Sequence, residues 1–161
     1  MEWTRDRFVI SDDRARIDRD LVHRFLRDES YWSREVPRDI VDRSIDEALC
    51  FGLYDGAAQV GFARVVTDRS TFGFLADVFV VGSHRGLGLG VWLCRTVLDH
   101  PDLADVRRIL LGTDDAHALY AKLGFTPLTE PERFMHVFRP APTIYRERGP
   151  AFPAPGAPAG S

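Results

Sequence analysis

The chain has 161 residues, enough for one domain with a full core, and its 45% hydrophobic and 28% charged residues are an ordinary globular balance. A net charge of −3 argues against general affinity for nucleic acid, and no run approaches the roughly 20 apolar residues of a membrane-spanning helix. Residues 1–10 carry scattered charge without an apolar core, so no signal peptide is expected and the cytoplasm is the expected compartment. Cys50 and Cys94 sit in apolar runs and read as buried free thiols, so neither a disulfide nor a metal pair is expected.

Phe8-Val9-Ile10 is a short β-branched run and the first expected strand. From Asp18 to Arg27, Leu21, Val22, Phe25 and Leu26 fall on one face at helical spacing. A loop with Tyr31 and Trp32 follows. Pro37 suits an early helical position, and Ile40, Val41, Ile45 and Ala48 give a second apolar face. Cys50–Tyr54, Gln59–Thr67 and Thr71–Val81 read as three antiparallel strands, joined by turns at Asp55-Gly56 and Asp68-Arg69-Ser70.

Gly88 to Asp99 reads as a helix stopped by His100-Pro101-Asp102. Ile109-Leu110-Leu111 is wholly apolar, which suggests a parallel strand buried on both faces. A helix from Ala116 to Leu123 is expected next, capped by Asp114 or Asp115 and ended by Gly124. Phe125-Thr126 and Phe134–Phe138 are expected to add the last strands. Proline, alanine and glycine dominate after Pro140. The domain is therefore expected over residues 1–139, and residues 140–161 read as a disordered tail or a docking peptide.

The chain's most specific segment is Arg85-Gly86-Leu87-Gly88-Leu89-Gly90, between an apolar strand and a helix. Bare amides at a helix N-terminus beside an arginine suit a phosphate. No Lys-Ser or Lys-Thr pair follows, so this is not a Walker A loop. The dinucleotide fingerprint fails at its third glycine, where Val91 stands, and Asp105 is weakly placed as its acidic residue.

The segment instead resembles the R/Q-x-x-G-x-G/A pattern of the GNAT acetyltransferase superfamily. A second stretch, Ala118-Leu119-Tyr120-Ala121-Lys122-Leu123-Gly124-Phe125, resembles that family's Y-x-K-x-G-F ending, about thirty residues downstream. The resemblance runs from about Phe8 to Phe138. It implies an α/β acyl-CoA N-acyltransferase fold, with a mixed central sheet of about seven strands and about four flanking helices. It also implies acetyl-CoA as co-substrate, with its pyrophosphate on Arg85, Gly86, Leu87, Gly88, Leu89, Gly90 and Val91. The pantetheine arm would lie along Phe79, Val80 and Val81, on a strand that commonly carries a bulge. Gly82 stands where many members have proline.

The same resemblance makes Tyr120 the candidate general acid for a departing thiolate, and places it against the coenzyme. Asp77 is a candidate base; it could equally cap a neighbouring backbone or bind an arginine. His84 and His117 are weaker candidates. Tyr31, Trp32, Arg64 and Phe134 fall where the acceptor enters; the aromatics would cover a flat or apolar amine or, the plainer reading, form a buried staple. The expected reaction is direct acetyl transfer to a primary amine of a small molecule or peptide. No metal, nucleic acid or membrane partner is expected, and a homodimer is compatible with the family. The rival readings are a non-catalytic acyl-CoA binding or sensing module on the same fold, and a nucleotide-binding domain.

Overall fold

The structure is a computed structural model that describes residues 1–139 and residue 145. The tail reading for residues 140–161 lies outside the described residues except at Tyr145. Six strands form one sheet in the order β1 to β6: Glu2–Arg5, Phe8–Ser11, Leu49–Asp55, Ala58–Thr67, Gly73–Val80 and Ile109–Leu110. All neighbours are antiparallel except β5 and β6, which are parallel. Helices α1 (Arg19–Asp28) and α2 (Arg38–Asp46) precede β3. Helix α3 (Leu89–Leu98) crosses from β5 to β6, and α4 (His117–Ala121) follows β6.

Strand alternation splits the core into two layers. Cys50 and Phe62 face a cluster with Val22, Phe25, Leu26, Val41 and Ile45 of α1 and α2. Their neighbours Phe51 and Ala63 face the opposite cluster, with Leu93, Cys94 and Val97 of α3. Burial on both faces explains why β3 reads as an unbroken apolar run. Phe25 of α1 stacks on Phe79 of β5 with centroids 3.9 Å apart and planes 7° apart, which seats α1 beside the end of β5. Asp18 caps α1 by accepting from the Leu21 amide.

Three features differ from the sequence expectation. Strand β1 is added by a hairpin through Asp6 (φ 54), with Trp3 packed near Phe51 and His100. Pro37 is the residue before α2 rather than within it. Among the described residues the sheet has six strands rather than about seven. Phe125-Thr126 and Phe134–Phe138 do not join it: the ladder of β6 is two residues long, and a 3-10 turn at Pro131–Arg133 breaks the returning segment. Ile109 and Leu110 are accordingly half-buried, not covered on both faces.

The arrangement of β5 and β6 makes the site. They pair only at Gly73↔Ile109 and Phe74↔Leu110. Beyond that point β5 runs on to Val80, and the chain after Leu110 is no longer a strand. The far half of β5 therefore presents an open edge. It also bulges: Phe62 pairs with Phe79 and Arg64 with Ala76, so Asp77 and Val78 together oppose Ala63. Asp77 takes φ 52 there, a left-handed conformation that aspartate tolerates better than most residues.

Candidate active site

At the end of β5 the chain tightens into a 3-10 turn, Gly82–His84, closed by His84 N–H on the Val81 carbonyl at 2.9 Å. Gly86 and Gly88 then adopt φ of 80° and 70°. A Cβ at either would meet nothing within 4 Å, so backbone conformation, not crowding, is what requires glycine there. Gly88 is the N-cap of α3 and offers no capping side chain. The first helical bond runs from Trp92 N–H to the Gly88 carbonyl at 3.1 Å. The amides of Leu89, Gly90 and Val91 lie ahead of it at the positive end of the helix dipole. Arg85 donates from Nε to the Val80 carbonyl at 3.0 Å, so the side chain braces the turn from strand to loop.

Backbone alternation supplies one more donor. Val81 N–H points to β4, bonding the Val60 carbonyl at 2.9 Å. The polar groups of Val80 therefore face the open edge, and because Arg85 takes its carbonyl, its N–H remains for a ligand.

These groups line a cleft of about 510 Å³. Phe79, Val80, Arg85, Gly86, Gly88, Leu89, Gly90, Val91 and Tyr120 all border it. Val81 and Leu87 are not among its lining residues; Leu87 is exposed and its carbonyl accepts from Arg5. The Phe79 side chain belongs to the core and its backbone pairs with Phe62 of β4, so it offers the open edge no polar group.

The second motif has its own physical reason. Gly124 (φ 92) ends α4, with Gly124 N–H on the Ala121 carbonyl and Phe125 N–H on the Tyr120 carbonyl, a Schellman closure. The Phe125 ring packs edge-on against Tyr120 at 5.8 Å, the apolar contact that accompanies such an ending. Burial pushes the Tyr120 phenol well above the ordinary tyrosine value, so it is uncharged at neutral pH. The N-terminus of α4 lacks the expected aspartate cap; Thr113 Oγ1 accepts from the Ala116 amide instead.

A second cavity of about 340 Å³ adjoins the first, and Tyr31, Trp32, Val78, Asp115, Ala116 and Tyr120 line both. Its wall is Tyr31 against Trp32, edge to face at 4.9 Å. Two bonds latch that wall down. The Tyr31 hydroxyl accepts from the Asp114 amide at 2.8 Å, and Trp32 Nε1 donates to Asp77 Oδ1 at 3.0 Å. Asp77 Oδ2 accepts from Arg64 Nε at 2.5 Å, and the Asp77 side chain is only 7% exposed. Both oxygens of the candidate base are thus engaged.

Tyr31, Trp32, Arg64, Asp77 and Tyr120 are brought together on the lining of the second cavity. Phe134 is not: it lies beneath the Arg108 guanidinium, away from both cavities. His84 borders the cleft with Nδ1 beside Ser83 Oγ and Nε2 3.1 Å from Asp55. His117 is exposed and lines neither cavity. Sequence reasoning assigned Asp115 only a capping role and gave no role to Phe74 or Thr113, all of which line the second cavity. Tyr145 also went unassigned; it packs against the α1–α2 cluster, and burial, with the Asp77 charge, pushes its phenol up. Among the described residues no group of three His, Cys, Asp or Glu is placed to hold a metal, and no helix is long and apolar enough to cross a membrane.

A bulged strand with an open edge, running through a glycine turn into a helix N-terminus, defines an acyltransferase-type α/β domain. The sequence profile of the acetyltransferase (GNAT) family matches residues 19–125, and the chain belongs to that family. It is 30% identical over 140 residues to a Gibberella zeae protein carrying an acetyltransferase assignment, covering 74% of this chain and 79% of that one. It is also similar to a crystal structure from Xanthomonas campestris pv. campestris assigned to the GNAT family. That likeness has 42% identity and a TM-score of 0.82, covering 88% of this chain and 99% of the other. A Clostridium acetobutylicum acetyltransferase solved with acetyl-CoA gives 14% identity and a TM-score of 0.59 over 80% of this chain and 98% of that one, a likeness of fold alone.

Proposed function

We propose that the protein transfers an acetyl group from acetyl-CoA to a primary amine by direct attack. The observation that carries this reading is the junction at Tyr120. A neutral phenol lines both the cleft with the anion-binding turn and the cavity with the aromatic wall. The residues fit the co-substrate: unpaired amides at Leu89–Val91, a turn left bare at Gly86 and Gly88, and Val80 N–H on an open strand edge.

The turn and the α3 amides hold the pyrophosphate. Val80 N–H binds along the pantetheine arm, where backbone donors of this strand also polarise the thioester carbonyl. The amine's lone pair attacks the acyl carbon, a C–N bond forms and the C–S bond breaks. Tyr120 gives its proton to the departing sulfur and is reprotonated from solvent as the nitrogen loses its own. Asp77, with both oxygens engaged by Trp32 and Arg64, holds the acceptor wall in place more readily than it takes a proton.

The test is thiol release from acetyl-CoA with a panel of amines, for wild type and Tyr120→Phe. Wild type should turn over at least one amine. Tyr120→Phe should lower kcat about 10²-fold with KM for the coenzyme little changed. Equal turnover by the variant would remove Tyr120 as the acid. Coenzyme A binding without turnover of any amine would favour a sensing module.

A further inference from the structure

The acceptor cavity reads its substrate by what its lining lacks. Among the described residues, three charged side chains line it: Arg64, Asp77 and Asp115. Arg64 and Asp77 form a mutual ion pair, with side chains 18% and 7% exposed, and together are neutral. Asp115 is exposed at the boundary of the two cavities, next to Tyr120 on the lining of both. The net charge of the described wall is therefore one negative, and it lies where the two cavities meet, beside Tyr120.

The rest of the wall is flat and apolar. Tyr31, Trp32 and Phe74 are each about two-fifths exposed, and all three line the cavity. Their polar ends are already used: the Tyr31 hydroxyl on the Asp114 amide, the indole N–H on Asp77. What faces the cavity is ring surface. A ring or alkyl body gains by covering it, and a carboxylate or phosphate would sit beside Asp115 with no uncompensated cation among the described lining residues to offset the repulsion.

We propose that the acceptor is a cationic amine on an aromatic or alkyl body with no acidic group of its own, and that Asp115 binds its ammonium. This rests on the acetyl-transfer reading above and names the substrate class of that site. Asp115 is open to water, so the ammonium proton leaves to solvent before the neutral amine attacks.

The test uses the full chain at saturating acetyl-CoA, with 2-phenylethylamine, phenylalanine and glucosamine 6-phosphate as probes, reading released thiol. Coenzyme A affinity is measured separately by calorimetry. The expected order has kcat/KM for 2-phenylethylamine at least about tenfold above either acidic probe. Asp115→Asn should raise its KM about tenfold or more, with kcat and coenzyme A affinity nearly unchanged, and Asp115→Glu should recover part of the loss. Preference for an acidic probe, or an unchanged KM in Asp115→Asn, would overturn the proposal while leaving acetyl transfer intact. Coenzyme A binding without thiol release from any probe would overturn the catalytic reading and this one with it.

Discussion

The two cavities that meet at Tyr120 are built in different ways. The cleft proposed for the coenzyme is organised by backbone: two left-handed glycines, a helix start and a bulged strand, contiguous in sequence from β5 into α3. The acceptor side is made of side chains from separate segments. The α1–α2 loop supplies Tyr31 and Trp32, β4 and β5 supply Arg64, Phe74 and Asp77, and the segment after β6 supplies Asp115. Backbone geometry can shape an anion site by conformation alone. A wall of side chains must be held, and here hydrogen bonds spanning 83 and 45 residues hold it.

That contrast predicts different sensitivities. The largest effect is expected on the backbone side. Gly88→Val forces a β-branched residue into φ 70, a strain of about 1–3 kcal/mol. If the turn opens to relieve it, coenzyme A affinity should fall about 10- to 100-fold by calorimetry, with the aromatic wall intact. An unchanged affinity would mean that the left-handed turn does not shape the coenzyme side.

A smaller loss is expected from the wall. Trp32→Phe removes the indole donor to Asp77 and keeps a ring, a change of about 1 kcal/mol. KM for the amine should rise several-fold while coenzyme A affinity holds. Equal loss of both would show that the two sides are not independent.

The smallest effect at neutral pH concerns the scaffold they share. Burial pushes the Cys94 thiol, in the α3 layer, and the Cys50 thiol, in the α1–α2 layer, each from 9.0 to about 12. The unfolded chain loses these protons first. Stability is therefore full below about pH 9 and declines as pH rises toward 12. Thermal denaturation should show Tm falling above pH 9, with a shallower fall in Cys50→Ala and in Cys94→Ala. A Tm independent of pH there would contradict the burial of both thiols.

The same contrast explains what the sequence could disclose. Gly86, Gly88 and Gly124 are legible because positive φ leaves a residue-type signature at fixed spacing, and Tyr120 is located by the Schellman ending it starts. Helix α1 is legible from its apolar face. The role proposed for Asp115 is not, because the cavity it shares with Tyr31, Trp32 and Phe74 joins residues far apart in sequence. Asp77 looks like a base in isolation; only the fold shows Trp32 and Arg64 on its two oxygens. Strand β1 is hidden by its polar composition, since Trp3 alone supplies its aromatic contacts with the core. The absent last strands reflect a two-residue β6 ladder, which no local pattern reveals.

The central claim is that the β5–α3 turn binds a pyrophosphate on backbone amides. Calorimetric titration of the wild-type protein with coenzyme A and with pantetheine tests it most directly. The account predicts that coenzyme A binds at least about 100-fold more tightly, because pantetheine brings nothing for the turn to hold. Equal affinity for the two, or binding of nucleotides with none of coenzyme A, would contradict it.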